Sequence, residues 1–164
     1  LSGKPLIGNE PFAVILADDL CDCDEEGVIS QLIKIYNQYK CSVVAIEEVP
    51  MDQTSKYGII SGNLIDNSKN TYRVNEMIEK PDEKTAPSNM AIIGRYILTP
   101  DIFDILKDIK PGSNGEIQIT DALNVQAKQG NVIAYKFKGR RFDCGSVKGY
   151  LEATNFFASK EQII

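Results

Sequence analysis

Histidine is absent from all 164 residues. That absence removes every triad built on imidazole, every histidine metal site and the histidine general base. No apolar run approaches the roughly 20 residues a membrane-spanning helix needs, so no membrane role is expected. No signal-peptide pattern opens the chain, and a cytoplasmic location is the expectation. Lysine and arginine form no large cluster, which argues against a nucleic-acid partner. Cysteine is sparse: Cys21, Cys23, Cys41 and Cys144. Cys21-Asp22-Cys23 lacks the two-residue spacing of a zinc knuckle or redox pair, so reduced thiols are expected. Internal repeats, low-complexity runs and linkers are also missing.

What is present is an ordinary globular composition, with 43% hydrophobic and 25% charged residues and a net charge of −5. The length fits one domain at the usual scale of about 150 residues. With no imidazole, any chemistry falls to carboxylates, lysine or arginine, backbone amides and a metal ion. Phosphoryl and nucleotidyl transfer suit that inventory, because positioning and charge neutralisation carry most of the catalysis.

Strand and helix patterns alternate along the chain, which predicts an α/β fold. Residues 1–11 read as a loop punctuated by Gly3, Pro5, Gly8 and Pro11. Phe12 to Ala17 is an unbroken apolar run and reads as a buried strand. Asp24 is placed to cap a helix whose first turn carries Glu25 and Glu26, with Val28, Leu32, Tyr36 and Tyr39 on one face to about Lys40. Ser42–Val49 reads as a strand stopped by Pro50. Tyr57–Ile60 and Tyr72–Ile78 read as two more, the first broken near Gly62 and the pair joined as a hairpin with a long turn. Asn89–Leu98 is another apolar strand. Thr99-Pro100 is placed to start a helix with Phe103 and Leu106 on its buried side. Pro111 to Gly115 reads as a loop. Thr120 is placed to cap a helix ending near Gly130, before a strand over Val132–Phe137. Ser146 is placed to cap a last helix, with Val147, Tyr150, Leu151 and Phe157 as candidate buried positions.

Four constellations carry possible chemistry. Asp18-Asp19 closes the first apolar run, and ligands gather at the carboxyl ends of strands in open α/β sheets. Two adjacent carboxylates there call for a divalent cation and nucleotide phosphates, or else cap a solvated turn. Glu79-Lys80-Pro81 ends a strand. Pro81 stops the ladder and biases Lys80 toward an extended conformation. Glu79 is suited to sugar hydroxyls and Lys80 to a phosphate, against the plainer reading of a solvated strand end. Gly115-Glu116-Ile117-Gln118-Ile119-Thr120-Asp121 precedes a helix. Phe142-Asp143-Cys144-Gly145-Ser146 sets a carboxylate just before a helix N-terminus, where free amides favour an anion. Asp143 is either that anion, as a cap, or a second metal ligand facing Asp18.

Order and spacing together resemble the bacterial UTP–glucose-1-phosphate uridylyltransferases (UDP-glucose pyrophosphorylases). The resemblance is carried by Gly8-Asn9-Glu10-Pro11-Phe12 through Asp18-Asp19, Tyr57-Gly58, Ile78-Glu79-Lys80-Pro81, Pro87-Ser88-Asn89 through Gly94-Arg95-Tyr96, Gly115 through Asp121, and Asp143-Cys144-Gly145. It spans nearly the whole chain. Glu-Lys-Pro is common to many sugar nucleotidyltransferases, whereas the Pro-Ser-Asn to Gly-Arg-Tyr block and Asp-Cys-Gly are more specific.

The resemblance implies a Rossmann-like nucleotidyltransferase fold with a mixed central sheet flanked by helices. It implies UTP and glucose 1-phosphate as substrates, UDP-glucose as product and Mg²⁺ as cofactor. By position, Asp18 corresponds to the Mg²⁺ ligand and Asp143 to a second metal-side aspartate. Gly58 corresponds to a backbone contact to glucose, Glu79 to the glucose hydroxyl acceptor and Lys80 to the phosphate-binding lysine. Asp18 and Lys80 are thus the expected catalytic residues, and the intact protein is expected to be a homo-oligomer.

One departure stands against these matches. The family's glycine-rich Gly-x-Gly-Thr-Arg loop and its downstream lysine have no counterpart here. Residues 1–164 are therefore expected to be the C-terminal, sugar-phosphate-binding portion of such a domain, with its N-terminal part missing, and to be inactive alone. The alternatives are a sibling nucleotidyltransferase using dTTP or another sugar phosphate, a glycosyltransferase reading Asp22-Cys23-Asp24 as its Asp-x-Asp, and a non-catalytic sugar-nucleotide-binding module.

Overall fold

The computed structural model describes residues 1–65, 68–111 and 115–162. A one-turn helix α1 (Lys4–Ile7) precedes β1 (Phe12–Ile15) and β2 (Asp19–Asp22). Helix α2 (Val28–Tyr39) leads to β3 (Ser42–Glu48), a 3₁₀ turn over Met51–Lys56, and the pair β4 (Gly58–Leu64) and β5 (Thr71–Glu79). Then follow β6 (Met90–Leu98), α3 (Ile102–Asp108), α4 (Ile119–Lys128), β7 (Val132–Lys136), β8 (Arg140–Asp143) and α5 (Val147–Lys160).

Six strands form one mixed sheet in the order β1-β6-β3-β7-β5-β4. The β3–β7 pairing is parallel and the others are antiparallel. Ile59 of β4 also pairs with Ala91 of β6, which brings the β4–β5 hairpin back toward β6. In β3, Val43 and Ala45 face α2 with Leu32, while Val44 and Ile46 face α3 and α4 with Phe103 and Leu123. None of these four β3 side chains is more than 1% exposed. An apolar run covered on both faces is what a central strand between helix layers requires. The expected mixed sheet flanked by helices is therefore the observed fold.

Several local expectations are corrected. The first apolar run is not a fully buried strand. β1 ends at Ile15 and lies at the sheet edge, so half-buried and exposed residues alternate and Ile15 is 57% exposed. Asp24 does not cap α2, which begins with Gly27 at its cap. The buried Gln31 amide instead ties that helix start to the chain after β7, donating to the Glu26 and Lys138 carbonyls and accepting from the Lys138 amide. Thr99 caps nothing. Its hydroxyl pairs with Ser42 and accepts from Gln126, and α3 begins three residues later. Gly62 marks a bulge rather than the end of β4.

The last helix keeps its cap but turns another face inward. Ser146 Oγ accepts the Gly149 amide (3.0 Å). Val147, Tyr150 and Leu151 are exposed, while Phe156 and Phe157 pack on Phe142 of β8. Gly149 and Ala153 are the buried positions. Residues 66 and 67 of the long hairpin turn and 112–114 of the Pro111–Gly115 loop lie outside the described residues.

Candidate functional site

The four-residue strands β2 and β8 form a separate two-stranded sheet in which Asp19 lies opposite Asp143. Asp18 and Asp19 thus sit in the turn into β2 and at its first residue, not at the end of a buried strand. Their roles differ. Asp19 is 5% exposed. Its carboxylate pairs with Arg141 and accepts the Gly94 amide (2.6 Å). The Arg95 guanidinium, also buried, donates to the Asp19, Leu16 and Gly94 carbonyls. Asp19 is therefore fully committed inside the protein. Asp18 is exposed, and its main-chain carbonyl accepts the Cys144 amide (2.8 Å), which draws Asp18 to the start of α5.

Asp18 and Asp143 come together at Gly145. A Cβ built on Gly145 would lie 3.2 Å from Asp18 Oδ2 and 3.2 Å from Asp143 Oδ1. The glycine leaves open the space between two carboxylate oxygens. The donors are hard oxygens with no thiol among them, which suits Mg²⁺ held by one or two carboxylates and completed by substrate phosphates. Among the described residues, no three acidic or thiol side chains form a metal cluster.

Arg141, which sequence reasoning missed, organises this end of the site. Its side chain is 7% exposed and faces Asp19, Glu47 (2.7 Å) and Asp143 Oδ2 (3.5 Å). It also lies over the Tyr57 ring, 5.1 Å from the centroid. Burial works against its charge, but the Tyr57 hydrogen bond and the Asp19 and Glu47 carboxylates outweigh it and hold its pKa above the ordinary arginine value. The Tyr57 hydroxyl donates to Asp143 Oδ2 (3.0 Å). Burial raises the Tyr57 phenol, with Arg141 opposing and Asp143 adding to it, so it stays a donor at neutral pH.

Tyr57 also leads to the second end. Its carbonyl accepts the Lys80 amide (2.9 Å), and the next residue, Gly58, pairs with Glu79 across the β4–β5 ladder. A Cβ on Gly58 would lie 3.2 Å from each of Glu79 Oε2, Thr120 Oγ1 and Ile92 Cδ1. Thr120 does not cap α4, whose cap position is Gln118. It lies buried in the first turn and donates to Glu79 Oε2 (2.6 Å). Lys80 is not extended. Its φ of 47° is left-handed, so consecutive side chains that would alternate in a strand swing together. Lys80 Nζ lies 3.9 Å from Glu79 Oε1. A left-handed non-glycine residue is strained, and such strain collects at functional sites.

Tyr96 of β6 is buried in the core. Burial raises its pKa, and the charges of both Asp19 and Glu79 add to the shift. The expected residues Asp18, Asp143, Gly58, Glu79 and Lys80 thus fall into two neighbouring groups joined through Tyr57. Tyr57 and Thr120 fall inside motifs quoted from the sequence but carry no assigned site role there, and Arg141 falls in none of them. Arg141 follows another arginine in a short strand with no periodicity, and nothing in the sequence distinguishes it from a surface charge. In the alternative Asp-x-Asp, Asp22 is engaged by Lys160 (2.6 Å) and Asp24 is exposed.

A family model described as nucleotidyl transferase matches residues 2–160. A UTP–glucose-1-phosphate uridylyltransferase of Pseudomonas aeruginosa is 62% identical over 157 residues, covering 95% of this chain and 56% of that protein. A crystal structure of UDP-glucose pyrophosphorylase complexed with UDP-glucose is similar at 56% identity and a TM-score of 0.92, covering 97% of this chain and 60% of that one. A UTP-bound UGPase from Acinetobacter baumannii is similar at 32% identity and a TM-score of 0.83, covering 96% of this chain and 54% of that one. The chain spans a little over half the length of these relatives. With a family match across nearly all its residues and the expected sheet, this chain belongs to the nucleotidyl transferase family.

Proposed function

We propose that the whole protein makes UDP-glucose and pyrophosphate from UTP and glucose 1-phosphate, and that residues 1–164 supply its sugar-phosphate-binding portion. The observation that carries this reading is the Gly58–Glu79–Thr120 group with the Lys80 ammonium beside it. A carboxylate oriented by a hydroxyl accepts sugar hydroxyls, and an exposed lysine next to it binds the phosphate of the same sugar. The identity to uridylyltransferases supports uridine as the base.

In the reaction, an oxygen of the glucose 1-phosphate phosphate attacks the α-phosphorus of UTP in line. The bond from that phosphorus to the bridging oxygen breaks, and pyrophosphate leaves with the electron pair. The attacking oxygen is already anionic, so no general base is needed and the absence of histidine is no obstacle. Lys80 holds the attacking phosphate, Glu79 orients the sugar, and the Gly58 backbone allows close approach. Asp18 and Asp143 would hold Mg²⁺, which supplies charge neutralisation on the phosphates.

The test is calorimetric titration of this chain with UDP-glucose, with and without Mg²⁺, beside turnover of the whole protein with UTP and with dTTP. Binding of UDP-glucose strengthened by Mg²⁺, and a preference for UTP in turnover, are expected. Equal turnover of dTTP would overturn the choice of uridine, and no binding by a folded chain would overturn the placement of the sugar-phosphate site in residues 1–164.

A further inference from the structure

Asp143 is held unequally. Its Oδ2 takes the Tyr57 hydroxyl (3.0 Å) and the Arg141 guanidinium (3.5 Å), while among the described residues its Oδ1 takes only the Gly145 amide (3.2 Å). That second oxygen borders the space beside Gly145 that Asp18 also borders. Charge points the same way. Asp19 and Glu47 already outnumber the single Arg141 cation, so its contact with Asp143 is not needed to neutralise it. Arg95 adds a second cation and spends its donors on three carbonyls, so the carboxylates Asp18, Asp19, Glu47 and Asp143 still outnumber the guanidiniums of Arg95 and Arg141. The cluster therefore keeps an excess of negative charge where the cradle opens.

We propose that Arg141 and Tyr57 are positioning residues that grip one oxygen of Asp143 and so turn the other toward Asp18, presenting the pair to a divalent cation. The inference rests on reading Asp18 and Asp143 as the cation pair. Without the grip, the Asp143 side chain samples other rotamers and meets Asp18 only part of the time. Losing such an outer-shell partner typically costs about 10- to 100-fold in metal affinity.

The experiment measures Mn²⁺ uptake by this chain, with and without UDP-glucose to supply the phosphate oxygens, following loss of the free-ion electron paramagnetic resonance signal, with thermal melts run beside it. Wild type is compared with Asp18→Asn, Tyr57→Phe and Arg141→Lys. Tyr57→Phe removes one hydroxyl and keeps the ring under Arg141, so its melting temperature should stay within a few degrees of wild type. Its Mn²⁺ affinity is expected to fall by about tenfold or more. Arg141→Lys, which keeps the charge but loses the fork, should weaken Mn²⁺ alongside any loss of stability. Wild-type affinity in folded Tyr57→Phe, with Asp18→Asn impaired, overturns the grip and leaves the cation pair standing. No uptake by wild type, or uptake indifferent to Asp18→Asn, overturns the cation pair and the grip with it, while the UDP-glucose titration still judges the sugar site separately.

Discussion

Thr120 in the first turn of α4 donates its hydroxyl to Glu79 at the end of β5 across 2.6 Å. The two residues lie on elements separated by β6 and α3 in the chain, and the bond fixes which oxygen of Glu79 is left for a ligand. A hydrogen bond to a charged group contributes about 1.5–3 kcal/mol. Thr120→Val keeps the volume and removes the donor. UDP-glucose affinity, measured by calorimetry, is expected to fall by roughly tenfold to a hundredfold. Unchanged affinity would remove Thr120 from the sugar end of the site.

Asp18 is exposed, and its carboxylate is not needed by the core. Asp18→Asn should leave the melting temperature unchanged. In the whole protein it is expected to raise the barrier to turnover by a few kcal/mol, at about tenfold per 1.4 kcal/mol. Steady-state rates across a Mg²⁺ titration check this. Wild-type turnover at saturating Mg²⁺ would end the cation-ligand role.

Gly149 lies where α5 presses on β8. A Cβ there would stand 1.9 Å from the Asp143 carbonyl oxygen, an overlap that only backbone movement relieves. Alanine gains about 1 kcal/mol in helix propensity over glycine. Overpacking typically costs about 1–3 kcal/mol and here meets rigid backbone, so the clash wins. Gly149→Ala is expected to lower the melting temperature by several degrees, at about 2–4 °C per kcal/mol. A melting temperature at or above wild type would mean that α5 slides freely on β8.

Burial pushes the Cys21 thiol from the ordinary 9.0 to about 11, with Arg95 opposing and Asp19 adding to the rise. The folded protein therefore keeps a proton that the unfolded chain gives up. This contribution to stability is intact below about pH 9 and is lost as pH climbs toward 11. The thiolate is scarce at pH 8, so alkylation of Cys21 by iodoacetamide, followed by peptide mass mapping, should be slower in the folded than in the unfolded chain. The native rate should rise steadily to about pH 11. Equal folded and unfolded rates at pH 8 would contradict this.

The legible parts of the fold are those with a period or a long apolar run. Val28, Leu32, Tyr36 and Tyr39 mark the inner face of α2, and Val43 to Ile46 mark a strand covered on both sides. The misplaced helix starts share one cause. Asp24, Thr99 and Thr120 are good caps by residue type, but each meets a tertiary partner or solvent instead, and the helix begins elsewhere. The inward face of α5 is not legible, because Phe142, its partner, lies in a strand of only four residues that shows no periodicity.

The sequence by itself determined the α/β class, the strands that carry the sheet and the residue types available for chemistry. Those follow from local pattern and from the complete absence of histidine. Which carboxylate is buried and which is free was decided only by tertiary structure. Asp18 and Asp19 are neighbours with the same side chain, yet pairing β2 with β8 carries Asp19 onto Arg141 and leaves Asp18 beside Gly145. The left-handed turn at Lys80 and the Tyr57 link between the two ends were likewise decided by contacts between distant segments. Charge burial and hydrogen-bond geometry depend on what lies opposite a residue in space, and adjacency along the chain carries no record of it.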